Sequence, residues 1–158
     1  MKDLIMFLLV VAFIALNSCA KQVDIEAEKT NVQSVLSRYV KAWETLDAEM
    51  YLKNFAHDTD MVIFSSIPTV SYVGWETFKE VVQEGFGKYG NTKVSFSDER
   101  VKVHPSGNVA WLSCYFDFDF VSEGQPTSVK GIRTTWILEK RNGNWVIVHA
   151  HWSLPQGT

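Results

Sequence analysis

The stretch Gly131–Ser153, GIRTTWILEKRNGNWVIVHAHWS, decides the fold. On both sides of Asn142-Gly143 apolar and polar residues alternate with period two, which is the pattern of a strand with one buried face. An Asn-Gly pair between two such runs predicts a tight hairpin, because both residues tolerate the positive φ a two-residue turn needs. The same pattern continues upstream. VAWLSCYFDFDFV (109–121) alternates strongly, and SEGQPT turns it into the hairpin. TKVSFSDERVKVH (92–104) alternates before the turn PSGN. Four long strands joined by short turns predict an antiparallel meander.

Ahead of the meander the period changes. Val32, Val35, Leu36, Tyr39, Val40, Trp43 and Leu46 recur at steps of three and four, which predicts a helix over about 24–46. Asp47 reads as the N-cap of a short second helix carrying Leu52, Phe55 and Ala56. MVIFSS and VSYVG read as two short strands around Pro68, and Trp75, Phe78, Val81, Val82 and Phe86 give a third helix from Trp75 to about Lys88. The fold class is α+β: three N-terminal helices packed on a curved antiparallel sheet. Three helices cannot cover both faces of four long strands. One face should close a cone against them, and the other should be partly exposed or meet a second subunit.

The chain has 158 residues, 46% of them apolar and 13% aromatic, with six tryptophans and a net charge of −3. That supplies one packed core. It offers no basic stripe for nucleic acid and no low-complexity tail. The first 18 residues differ in kind. Leu4–Leu16 is an apolar run of 13 residues, shorter than the ~20 needed to cross a bilayer and suited to a secretory signal. It closes on Leu16-Asn17-Ser18-Cys19, which resembles a bacterial lipobox. The resemblance implies a signal peptide over 1–18, lipid on Cys19, a tether over 19–24 and a domain over 25–158. It also implies a location outside the cytoplasm in a bacterial cell envelope, facing the periplasm. Several acyl chains at ~0.8 kcal/mol per buried methylene anchor stably where one does not. Cys114 is then left without a partner and reads as a small buried hydrophobe.

Beyond the leader, the order of elements and three motifs resemble the SnoaL-like branch of the nuclear transport factor 2-like superfamily. The motifs are WETLDAEMYLKNFAHDTDMVIF (43–64), YVGWETFKEVV (72–82) and the closing hairpin with its His-Trp-Ser ending. The resemblance implies a cone with a pocket at its open end, often in a homodimer. It names no single activity, since members include isomerases, cyclases, dehydratases and noncatalytic pocket or association domains.

Strand parity supplies candidate site residues. On a regular last strand, Trp145, Ile147, His149, His151 and Ser153 share one face. Two imidazoles at i and i+2 stand about 7 Å apart. They could act as base and orienting group, or cap the cone by hydrogen bonds; zinc would need a further ligand that no residue supplies. Arg133 and Thr135 share a face of the preceding strand, and Asp117 and Tyr115 share one of the strand before. Together they read as proton carrier, anion clamp and hydrogen-bond donor of a pocket, or as a polar outer surface. Tyr39, Trp43, Phe64, Tyr72 and Trp75 could line an apolar cavity. The expected function is a membrane-anchored small-molecule-binding domain without a cofactor. The alternatives are an isomerase, dehydratase or hydrolase with Asp117, His149 or His151 as base, and a dimerisation module.

Overall fold

The computed structural model describes residues 22–66 and 69–154. The stretch expected to be a signal peptide, and Cys19, lie outside the described residues. Helix α1 runs Ile25–Glu44, α2 Ala48–Leu52 and α3 Trp75–Phe86, with short strands β1 (Val62–Ser66) and β2 (Thr69–Val73) between the last two. Four long strands follow: β3 Tyr89–Val103, β4 Val109–Ser122, β5 Gln125–Arg141 and β6 Asn144–Ser153.

Asp47 forms the expected N-cap, and Asp24 caps the first helix in the same way. Asp24 accepts from the Ala27 amide at 3.0 Å and Asp47 from the Met50 amide at 2.8 Å. The α1 face Val32, Val35, Leu36, Tyr39, Ala42 and Trp43 is buried, as its spacing predicts. At the other end of α1 the Trp43 carbonyl accepts both the Leu46 amide at 3.1 Å and the Thr92 hydroxyl, which ties the helix end to β3. Helix α3 starts at Gly74, where φ is +82° and a Cβ would meet the Thr59 carbonyl oxygen at 3.0 Å. Only glycine fits that corner without strain.

The six strands form one sheet in the order β2-β1-β6-β5-β4-β3. The meander is antiparallel, but β1 lies parallel to β6, with Ile63 beside Ala150, so the sheet is mixed. The hairpin turns Glu123-Gly124 and Asn142-Gly143 have positive φ at both central residues, as the Asn-Gly motif requires.

Register shifts bend this sheet. Strand β3 carries an extra residue near Asn91 and another near Asp98, β5 one near Gly131, and β6 one at Val148. Asn91, Asp98 and Gly131 all take positive φ. Each bulge adds local twist, and four of them curl the long strands around the helices. The inner face presents Leu112, Cys114, Phe116, Phe118 and Phe120 from β4, and Ile132, Thr134, Trp136 and Leu138 from β5, all buried. Burial pushes the Cys114 thiol up to about 12, with Glu99 adding to the shift, so it stays protonated and unreactive.

Polar clamps fix the helices to the sheet. Glu28 accepts from Lys140 Nζ at 2.6 Å and from the Trp145 indole nitrogen at 2.9 Å, in a largely buried position. Asp58 and Arg141 pair through both guanidinium amines at 2.6 Å, so HDTD (57–60) is a turn held by charge. The Lys140 and Trp145 bonds hold the Glu28 carboxyl below its ordinary value. A depressed carboxylate stabilises the fold above its unfolded pKa and loses that contribution as pH falls through the folded value. Glu28→Gln is therefore expected to cost about 1–2 kcal/mol at neutral pH. The gap from wild type should close on acidification, which denaturant titrations of both proteins at several pH values would read.

Candidate functional site: an aromatic cavity under the curled sheet

The curl leaves space between the inner sheet face and the three helices. A cavity of about 320 Å³ lies there, at the lower end of the roughly 300–1,000 Å³ range of ligand pockets. Tyr39 and Trp43 of α1, Tyr51 of α2 and Phe78, Val82 and Phe86 of α3 form the helical wall. Ile63, Tyr72, Phe116, Phe118, Ile132 and Trp152 form the sheet wall. Glu84, Lys88 and Tyr89, where α3 gives way to β3, complete one rim, and Ser65 and Ser66 lie at the end of β1.

The walls are rigid because aromatic rings brace each other. Trp43 stacks on Phe86 with centroids 4.3 Å apart and touches Tyr51 and Phe118 edge-on or tilted at 5.5 and 4.7 Å. Tyr39 packs on Trp136 at 5.0 Å and Tyr51 at 4.9 Å. Such pairs add about 0.5–1.5 kcal/mol each beyond the area they bury.

Charge is confined to the rim. Glu84 and Lys88 bond at 2.6 Å with both side chains largely exposed. Inside, the polar side-chain groups of the described lining residues are hydroxyls and indole nitrogens. The Tyr39 and Tyr51 hydroxyls lie 3.4 Å apart and bond each other. Burial pushes Tyr39 up to about 12 and Tyr51 well above its ordinary value, so both are donors at neutral pH and neither is a base. The Trp43 and Trp152 indole nitrogens are buried and, among the described residues, make no hydrogen bond of ordinary geometry, although the Trp43 N–H acts on the Tyr39 hydroxyl against the effect of burial.

Of the residues singled out by sequence, Tyr39, Trp43 and Tyr72 line this cavity. The others gather elsewhere. Trp75 stacks on His57 at 3.8 Å beside the start of α3. Phe64, Tyr115, Arg133, Thr135, Asp117, His149 and His151 lie on the outer sheet face. Two bulges explain much of this. The extra residue at Val148 flips parity along β6: Trp145 and Ile147 point inward, then Ala150 and Trp152 do, and His149 and His151 turn out. There they flank Phe64, whose ring meets both imidazoles edge-on at 5.7 and 5.8 Å.

The bulge near Gly131 engages Asp117, whose carboxylate accepts the Gly131 amide at 2.9 Å. Lys130 is 3.8 Å away on the same carboxylate. Asp117 is thus engaged by the Gly131 amide and Lys130, and Arg133 donates to the Leu154 carbonyl at 2.8 Å. Neighbouring strands set Trp111, Ile137 and His149 in one row, Ser113, Thr135 and His151 in the next, and Tyr115, Arg133 and Ser153 in a third. Among the described residues, no three His, Cys, Asp or Glu side chains converge as a metal site.

Tyr51, Phe78, Val82, Phe86, Tyr89, Phe116, Phe118, Ile132 and Trp152 line the cavity without having been read as site residues. Their spacing marks them only as apolar. Whether apolar walls meet or leave a gap depends on how their volumes sum across the curled sheet.

A helical layer on a strongly bent sheet, hollow between the two, defines the cone-shaped pocket domains of the nuclear transport factor 2-like superfamily. The SnoaL-like domain family matches residues 32–157, and the chain belongs to that family. A nuclear transport factor 2-like superfamily protein from Salmonella enterica superposes with a TM-score of 0.73 at 22% identity, covering 84% of this chain and 94% of that one. A nuclear transport factor 2-like protein of unknown function from Pseudomonas putida gives 0.69 at 20%, covering 82% and 88%. A family member from Streptomyces avermitilis, provisionally assigned as a dehydratase, gives 0.74 at 13%, covering 84% and 99%. Identities this low carry the fold and not the activity. No curated protein matches the chain.

Proposed function

We propose that this chain is a small-molecule-binding domain with no acid–base chemistry of its own, held at a bacterial cell envelope by lipid on Cys19. The observation that carries the binding reading is the cavity of about 320 Å³ walled by aromatic rings. No imidazole is among its described lining residues, and the carboxylate among them, Glu84, is bonded to Lys88 at the exposed rim. General acid–base catalysis needs a titratable group within hydrogen-bond reach of the reacting atom. Asp117, His149 and His151, the candidates for that role, stand on the far side of the sheet. The provisional dehydratase among the structural relatives keeps catalysis as the second reading. The lipid reading is supported by the apolar run that ends on Leu16-Asn17-Ser18-Cys19. Native mass spectrometry of the chain from its source cells tests both halves. It should find a retained small molecule, and a polypeptide that begins at Cys19 and carries acyl chains.

The outer face supports a homodimer. Phe64, Trp111, Tyr115 and Ile137 are large apolar side chains left 45, 44, 46 and 40% exposed there. Adjacent apolar groups in that number on one face favour covering by a second sheet. The free edge is unsuited to pairing, because β3 is bulged twice and carries Lys93, Asp98, Glu99, Arg100 and Lys102. Trp111→Glu is expected to weaken self-association by about 2 kcal/mol or more while leaving the monomer folded. Sedimentation equilibrium across a concentration series would measure it, and an unchanged monomer–dimer balance would refute this face as the contact.

A further inference from the structure

We infer that the bilayer faces the end of the sheet that carries the β3–β4 and β5–β6 turns, and that the cavity opens at the opposite end, so that its guest arrives through the aqueous phase and is not drawn out of the membrane. This orientation rests on the proposed lipid on Cys19 and adds to it how the domain stands on its anchor.

The start of the domain is fastened to the turn end. Val23 lies against the β3–β4 turn so closely that a Cβ on Gly107 would meet its Cγ1 at 2.5 Å. The Lys140 amide donates to the Asn108 carbonyl at 2.8 Å, which joins the β5–β6 hairpin to the same turn. In the first turn of α1, Glu28 is clamped by Lys140 and Trp145. Helix α3 begins at this end as well: the Trp75 amide donates to the Asp58 carbonyl at 2.9 Å, and the Asp58 carboxylate is held by Arg141. Cys19 stands three residues before Gln22, the first described residue. Three residues span at most about 11 Å, so lipid on Cys19 keeps the turn end near the headgroups.

The cavity lies at the other end. From Ile25 to Trp43, α1 rises about 27 Å, and there Trp43 stacks on Phe86 in the last turn of α3. From Ala110 to Phe118, β4 advances about 26 Å in the same direction, and Phe118 also meets Trp43. The rim residues Glu84, Lys88 and Tyr89 sit where α3 ends, far from the Trp75 end tied to Asp58. A leash of about 11 Å brings such a mouth to the bilayer only if the domain lies down on its α3 flank. That flank offers headgroups little. Lys79 and Lys88 are taken by Glu76 and Glu84 of the same helix, and exposed Glu80 adds a further negative charge. An excess of basic residues is what draws a surface to anionic lipid. The competing arrangement is a domain resting on Val70, Val73 and Val81, the exposed valines of β2 and α3, with its mouth turned down.

The test uses the mature lipidated chain in phospholipid vesicles whose headgroups carry a nitroxide quencher. Ser106→Cys places a fluorophore in the β3–β4 turn. Gly87→Cys places one at the rim, where φ is −70° and a Cβ meets nothing closer than 3.9 Å. Cys114, buried and protonated, stays unlabelled. Quenching at position 106 should be several-fold stronger than at position 87. A membrane-impermeant maleimide should react with Gly87→Cys as fast on vesicles as in detergent, and with Ser106→Cys more slowly on vesicles. Equal quenching at the two positions, or stronger quenching at 87, would overturn the orientation and leave the anchor standing. A chain that does not float with the vesicles would remove the lipid reading, and the orientation with it. Gln125→Cys, beside the β4–β5 turn, reports on the same end if Gly87→Cys does not fold.

Discussion

Val82→Phe is expected to abolish ligand binding, with a loss of about 100-fold or more in affinity for a probe such as 2-acetylnaphthalene. Val82 is a buried wall residue of α3, 8% exposed, and faces the hollow together with Phe78 and Phe86. A phenyl ring at that position claims space a guest would need. The surrounding side chains cannot retreat, because Trp43, Phe86, Phe118 and Tyr51 are locked ring on ring. Close-packed interiors yield little to added volume. The fold itself has room for the ring, since the cavity lies beside it, so stability should change by less than the 1–3 kcal/mol typical of overpacking a filled core. Calorimetric titration with a thermal melt on the same sample reads both quantities. Undiminished binding in a folded Val82→Phe protein would place the ligand somewhere other than this cavity.

Trp136→Ala should have the largest effect on stability, a loss of about 3–5 kcal/mol. Its side chain is completely buried at the centre of β5. It meets Tyr39 at 5.0 Å, Phe96 at 5.7 Å and Trp152 at 6.5 Å, and so joins α1 to three strands. The indole nitrogen has no hydrogen-bond partner among the described residues, so the cost is packing and the cavity left behind. Trp136→Phe separates these in part: it keeps one ring, gives up the fused ring that carries the indole N–H, and should cost less than Trp136→Ala because the hollow it leaves is smaller. The ratio of the two losses in urea denaturation checks the account. Equal losses would mean that the indole N–H is satisfied after all.

The chain's own pattern discloses most of this architecture. Period-two alternation finds all four long strands, Asn142-Gly143 finds the last turn, and Asp24 and Asp47 mark the helix starts. Three of the four bulges also leave a trace, since Asn91, Asp98 and Gly131 are residue types that tolerate positive φ. Val148 leaves none. It is one valine in an unbroken β-branched run, yet it reverses the facing of everything after it. A parity argument that assumes a regular strand therefore sends His149 and His151 to the same side as Ile147, and the structure sends them to the other. Asp117 illustrates a different limit. An acidic residue between two phenylalanines invites a catalytic reading, but it is the Gly131 bulge, fourteen residues away in the chain, that gives its carboxylate an amide to bind. The cavity is least legible of all. Tyr39 and Trp43 have the spacing of any buried helical face, and only the summed volumes of the three helices and six strands decide that they border empty space.

The central claim is that the curled sheet and the three helices enclose usable room. Soaking crystals of the protein in xenon and locating the bound atoms by anomalous scattering tests this without any assumption about the natural ligand. Xenon enters dry apolar hollows large enough for it. The account predicts density among Trp43, Phe86, Phe116 and Phe118 in wild type, reduced in Val82→Phe. A wild-type crystal with side chains collapsed into that space, and no xenon there, would contradict it.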